Sequence, residues 1–183
     1  MHNYWEKFEF GYTYHLYNKA IGSRKLFRQS EDYERFIEKH INYFGAYTTL
    51  IAYCLIPNHF HFMFTINDSH QFGFNNLTNE NSRAAKDLIT DHTKVDFFLV
   101  DQMRRWYSST ALYTNHKYQE TGQLFLEKSK RVLISSEEKF FDLICYIHHN
   151  PIHHGLTKNY EDWPHTSYNQ YLKEGPKTFA PQI

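Results

Sequence analysis

The chain has 183 residues, enough for one domain with a substantial core. At 41% hydrophobic and 22% charged residues its composition is globular, not disordered or fibrous. Lys+Arg and Asp+Glu balance at 20 each, which argues against a non-specific polyanion binder but leaves room for a local basic patch.

From the N-terminus, Phe10 to Asn18 alternates, with Phe10, Tyr12, Tyr14 and Leu16 on one face and Thr13, His15 and Tyr17 on the other. That period predicts a strand. The next stretch, Asn18 to Lys25, carries Lys19, Arg24 and Lys25. It reads either as a solvated turn or as a phosphate-contacting loop. Ser30 can cap a helix whose apolar stripe is Tyr33, Phe36, Ile37, Ile41 and Phe44. Two apolar strands follow, over about 47–56 and 58–66, joined at Pro57-Asn58. Asn67 to Lys94 is polar with few periodic apolar residues, and part of it reads as loop. A helical stripe resumes at Val95, Phe98, Leu99, Met103, Trp106, Thr110 and Tyr113, with Arg104 and Arg105 on its flank. This arginine pair suits either solvent or backbone phosphates. Leu124 to Ile134 reads as a strand interrupted by Glu127-Lys128-Ser129-Lys130-Arg131. Ser135 and Glu138 fit a capping box for a final major helix with a buried stripe of Phe140, Leu143, Ile144 and Ile147. Pro151 is expected to kink or end that helix at Asn150. Residues 1–172 form one predicted domain, and 173–183 a tail.

The order strand–helix–strand–strand–helix–strand is a split βαβ, ferredoxin-like pattern: an α+β fold with one antiparallel sheet and helices packed on it. His59 and His61, two apart on a strand, project from the same face. Two imidazoles in so apolar a stretch need partners, and together they make an incomplete metal site. Tyr146 and Asn150, four apart on the last helix, share a helical face. That helix is the candidate to cross above the histidines. His148, His149, His153 and His154 form a second histidine cluster suited to a DNA surface or solvent. Cys54 and Cys145 sit in apolar settings without a C-x-x-C spacing, so a thiolate zinc site is not expected and both read as reduced core thiols. With no signal-peptide pattern and no spanning apolar run, the expectation is a cytoplasmic protein.

Five segments taken together resemble a known family. They are Tyr14-His15-Leu16-Tyr17-Asn18-Lys19, Ala52 through Pro57-Asn58-His59-Phe60-His61, Gly122-Gln123-Leu124-Phe125, Tyr146 through Asn150-Pro151 to Leu156, and Asp162-Trp163-Pro164-His165-Thr166-Ser167-Tyr168. The resemblance is to the single-tyrosine HUH transposases of the IS200-like family, nearest the REP-associated tyrosine transposases, and spans about residues 9–172. It implies an HUH endonuclease fold and metal-dependent cleavage and rejoining of single-stranded DNA near hairpin-forming sites. Carried over by position, His59 and His61 match the HUH histidines, Asn150 the polar residue completing the metal site, and Tyr146 the nucleophile that forms a 5′-phosphotyrosine. A two-imidazole, one-amide site suits Mg²⁺ or Mn²⁺. A phenol ionises near pH 10, so attack needs a nearby cation or base, for which Lys139 and His149 are candidates. Asn18, Lys19, Arg24, Lys25, Arg104, Arg105, Lys128, Lys130, Arg131 and His149 are the candidate DNA contacts. The expected partner is single-stranded or hairpin DNA, with a monomer favoured over a homodimer. Two features depart from the family: the neutral charge, and the Lys19, Glu127 and Ser129 substitutions in otherwise Arg- or Gln-rich positions. They leave open a domesticated, non-catalytic hairpin-binding protein and, separately, a metal-dependent hydrolase that uses water.

Overall fold

The computed structural model describes residues 5–77, 82–126 and 128–175. Four strands, β1 (Thr13–Lys19), β2 (Thr48–Ile56), β3 (His59–Ile66) and β4 (Lys130–Leu133), form one sheet in the order β2-β3-β1-β4. Every neighbouring pair is antiparallel. β1, α1 (Ser30–Phe44) and β2 make a crossover with β3 inserted between the two strands, which is the expected split βαβ arrangement.

Strand alternation divides the core. Phe60, Phe62, Phe64 and Ile66 of β3, with Tyr14 and Leu16 of β1, face α1 and the long helix α4 (Val95–Tyr118). The opposite face presents Met63 with Ala52, Cys54 and Ile56 of β2 to Phe140, Ile144 and Ile147 of α5 (Glu137–His153). In β2 the register slips between Leu50 and Ala52. This bulge puts the consecutive residues Ile51 and Ala52 into the same α5-side core.

The outer edge of β2 is covered. Leu55 donates its N–H to the His165 carbonyl at 2.9 Å, and Ser167 donates its own to that of Tyr53 at 3.1 Å. The Trp163 indole N–H reaches the Leu55 carbonyl at 2.9 Å. Ser167 Oγ also lies 2.8 Å from His148 Nε2, tying this strip to α5. Such a cover removes an open template for strand addition.

Several sequence expectations are corrected. β1 starts at Thr13, not Phe10, because the chain turns through Gly11 at φ 77°. The part of 67–94 not read as loop holds α2 (Phe74–Leu77), α3 (Arg83–Thr90) and a 3-10 turn (His92–Lys94). Ser82, not a sequence-marked cap, accepts from the Ala85 N–H to start α3. Within 124–134 only Lys130–Leu133 forms a strand, and Phe125 makes an isolated bridge to Ala20; Glu127 lies outside the described residues. Gln29, not Ser30, caps α1, with the Asp32 carboxylate accepting the backbone N–H groups of Arg28 at 2.8 Å and Gln29 at 3.0 Å. Ser136, not Ser135, caps α5. α5 runs through Pro151 to His153. Cys54 is buried, whereas Cys145 is exposed. The last short helix, α6 (Tyr168–Glu174), extends past residue 172, and 176–183 of the expected tail lie outside the described residues.

His40 of α1 is buried between Phe44, Phe62 and Trp106, with neither ring nitrogen hydrogen-bonded. Burial lowers its pKa from 6.5 to about 3. The unfolded ring therefore takes a proton first as pH falls. The neutral ring's contribution is complete above pH 6.5 and is lost as pH drops toward 3, with a limiting slope of about 1.4 kcal/mol per pH unit. His40→Leu is expected to lose less stability on acidification than the parent, so the difference between their melting temperatures should shift in favour of the variant from pH 7 to pH 4.5.

Candidate active site

The hairpin corner fixes where β3 begins. Pro57 and Asn58 link Ile56 to its cross-strand partner His59. The Pro57 carbonyl accepts the N–H groups of Leu26 at 2.7 Å and Phe27 at 3.1 Å, and the Asn58 carbonyl accepts that of Ala20 at 2.8 Å. His59 and His61 then fall on the α5 side of the sheet, with ring centroids 5.2 Å apart.

From α5, Asn150 enters the same space and is 1% exposed. Its Nδ2 donates to the Tyr146 carbonyl one turn earlier at 2.9 Å. That bond fixes the amide, so Oδ1 faces His59 Nε2 at 3.4 Å. On the far side of the His59 ring, Nδ1 lies 2.9 Å from Asn58 Oδ1, an acceptor that holds the proton on Nδ1. His61 Nδ1 lies 2.9 Å from His15 Nε2, while its Nε2 is buried without a hydrogen-bond partner. With the proton on Nδ1 in both rings, both outer bonds are satisfied. Three lone pairs, from His59 Nε2, His61 Nε2 and Asn150 Oδ1, are then left on one side. Orienting a ligating imidazole through its other nitrogen is the usual second layer of a metal site. Among the described residues no group of three or more His, Cys, Asp or Glu side chains is placed to hold a metal. An ion here would therefore use the two imidazoles and the Asn150 amide oxygen. The orphaned His61 nitrogen fits that use, since leaving it empty costs about 1–3 kcal/mol.

The rings are kept neutral. Burial is the main cause of the lowered pKa of both His59 and His61. The neighbouring His15, His59 and His154 add to the effect at His61, and the Asn150 amide works weakly the other way. Burial alone takes His15 to about 3. A neutral imidazole is the form that binds metal.

Tyr146 is half exposed and stands edge-on to His61, with centroids 5.4 Å apart and rings 85° to each other. It shares a cavity of about 290 Å³ with Tyr17, Lys19, His59, His61, Lys128 and Lys130. The four residues singled out for chemistry from the sequence thus meet in space. Three supporting residues were not assigned roles from the sequence. His15 and Asn58 orient the two imidazoles, and Tyr17 stacks on His15 at 4.6 Å. The available signal was the alternation of β1, which places His15 and Tyr17 opposite the core residues Tyr14 and Leu16.

The candidate DNA contacts divide. Lys19, Lys128 and Lys130 line the cavity. Asn18 also borders it, but its amide is committed internally: Nδ2 donates to the Leu126 carbonyl at 3.1 Å and Ser129 Oγ at 2.9 Å, and Oδ1 accepts the Lys19 N–H at 2.8 Å. Arg24 binds the Gln123 carbonyl at 2.7 Å, Asn115 Oδ1 at 2.5 Å and Glu120 at 2.7 Å, and Arg28 joins it on Glu120. Arg131 pairs with Asp96 at 2.8 Å and covers the Phe8 ring. Arg104 pairs with Asp101 at 2.7 Å and Arg105 lies over Tyr43, both on α4 across the sheet from His59. Lys25 is exposed on the rim of a neighbouring cavity shared with Asn58 and His154. His149 is exposed with its Nδ1 3.0 Å from the Tyr160 hydroxyl, and Lys139 sits two turns before Tyr146, at the start of α5.

Comparison with family models and with curated proteins finds no match. Among solved structures, the chain is similar to a REP-associated tyrosine transposase bound to a REP hairpin. The TM-score is 0.63 at 14% identity, over 100% of this chain and 93% of that chain. The two share an α+β fold built on a four-stranded antiparallel sheet with packed helices.

The internal role of Asn18 is separable from DNA contact. Asn18→Ala would remove the Asn18 amide from the Leu126 carbonyl and from Ser129 Oγ, which keeps its bond to the Tyr107 hydroxyl. It is expected to destabilise the fold by about 1–3 kcal/mol in thermal or urea unfolding, with no DNA present.

Proposed function

We propose that this protein is a metal-dependent single-stranded DNA endonuclease and strand transferase. It would act beside hairpin-forming sites through a 5′-phosphotyrosine intermediate. The observation that carries this reading is the convergence of His59 Nε2, His61 Nε2 and Asn150 Oδ1 beside the accessible Tyr146 ring. The likeness to a tyrosine transposase bound to a REP hairpin supports the choice of substrate.

His59, His61 and Asn150 would hold Mg²⁺ or Mn²⁺, which would supply Lewis-acid polarisation of the scissile phosphate. The phenol oxygen of Tyr146 attacks phosphorus, and the P–O3′ bond breaks. The phenolic proton leaves, and the departing 3′ oxygen takes one up. The retained phosphodiester energy lets a 3′ hydroxyl reverse the step on the phosphotyrosine, so rejoining needs no nucleotide cofactor. Lys128 and Lys130 line the same cavity and offer positive charge to both phenolate and phosphate. Because Tyr146 stands beside the histidines of its own chain, one copy carries a complete set, which supports a monomeric enzyme. No helix among the described residues is long and apolar enough to cross a membrane; a cytoplasmic site of action follows from the DNA substrate.

A second reading, a domesticated hairpin-binding protein without catalysis, draws on the zero net charge and on the commitment of Arg24 and Arg131 to internal carboxylates. Incubation with Mn²⁺ and hairpin-bearing single-stranded oligonucleotides separates the two. A protein–DNA species that survives a denaturing gel, and that vanishes in Tyr146→Phe while binding persists, is the expected result. Binding without any cleavage over a panel of hairpins would favour the second reading, and cleaved product without an adduct would indicate water as the nucleophile. Without DNA, Mn²⁺ titration followed by electron paramagnetic resonance should show binding abolished in His61→Ala. In His15→Ala, affinity should fall about 10–100-fold, the usual cost of losing a residue that orients a ligand.

A further inference from the structure

On the other side of Leu126 and Lys128 lies a second cavity of about 610 Å³. Its floor is apolar, built from Val100, Met103 and Ala111 of α4 together with Leu124. Trp5, 49% exposed, forms one side, and its ring carries the Lys128 ammonium at 5.4 Å. Ser108, Gln123 and Ser129 add polar atoms to the lining. Of the three cations among the described residues that line it, Arg104 and Arg131 are paired with Asp101 and Asp96, which leaves Lys128, over the Trp5 ring, as the charge it presents. An exposed aromatic ring, an apolar floor and a lysine at the rim form the arrangement on which bases of single-stranded nucleic acid stack.

Continuity fixes the occupant. Leu126 and Lys128 line both this groove and the cavity that holds Tyr146. A strand with its phosphate at Tyr146 can pass over Leu126 and bring its next bases into the groove. We propose that the groove between α4 and residues 123–126 and 128–131 is a base-binding subsite for the single-stranded flank of the DNA, with Trp5 as its stacking platform and Lys128 as the phosphate contact between the two cavities. The inference rests on the single-strand DNA reading above.

The test uses Tyr146→Phe protein, which binds without cutting, and a hairpin oligonucleotide that gives the covalent species with the parent. An abasic residue is walked through the single-stranded flank, and affinity is measured at each position. The expected profile has one or two adjacent positions where loss of the base weakens binding about fivefold or more, the usual worth of a base–aromatic stack. Adding Trp5→Ala should erase that penalty, and adding Trp5→Phe should keep it. A penalty that persists unchanged in Trp5→Ala, or a flat profile with tight hairpin binding, overturns the subsite but not the DNA reading. Failure of the full chain to bind or cut any hairpin oligonucleotide overturns both. If Trp5→Ala instead converts a sedimenting dimer into monomer and leaves the abasic profile alone, the groove is an interface between copies and the subsite is overturned.

Discussion

Across 3.4 Å, Asn150 Oδ1 on helix α5 faces His59 Nε2 on strand β3. Neither can turn away. The imidazole is held from behind by Asn58, and the carboxamide is pinned by its bond to the Tyr146 carbonyl. The rest of the site follows from this fixed opposition. The corner at Pro57 decides where β3 starts, and strand alternation decides which ring faces helix α5. The spacing of four between Tyr146 and Asn150 brings the phenol along with the amide.

The charge balance has a structural explanation. Arg24 and Arg28 close the β1–α1 loop onto Glu120 at the end of α4, and Arg131 anchors β4 to Asp96 at its start. These bidentate-capable side chains serve the fold. The lysines around Tyr146, Lys19, Lys128 and Lys130, line its cavity, Lys128 over the Trp5 ring and Lys130 over the Tyr17 ring. A zero net charge therefore coexists with a locally cationic cavity.

Much of this was legible in the sequence. Strand period placed His59 and His61 on one face, and helical period placed Tyr146 above Asn150. The order of elements gave the split βαβ topology. Three things were not legible, for different reasons. The bulge at Ile51 breaks alternation inside an apolar run, where nothing in the residue types marks it. The role of Asn18 depends on partners more than a hundred positions away, so a polar residue at a strand end looked available when it was saturated. The helix continues through Pro151, which is buried, so tertiary packing outweighs the local preference to stop.

The strip that covers the edge of β2 has a consequence in time. Residues 163–167 bind Tyr53 and Leu55 on one side and His148 of α5 on the other, so they brace the helix that carries Asn150. They also follow the sheet, α4 and α5 in the chain. A nascent chain can lay down its sheet and the α1–α4 layer first, but the brace on α5 forms only once residues 163–167 have been added. Assembly of the site thereby comes after that of the sheet on which its histidines stand.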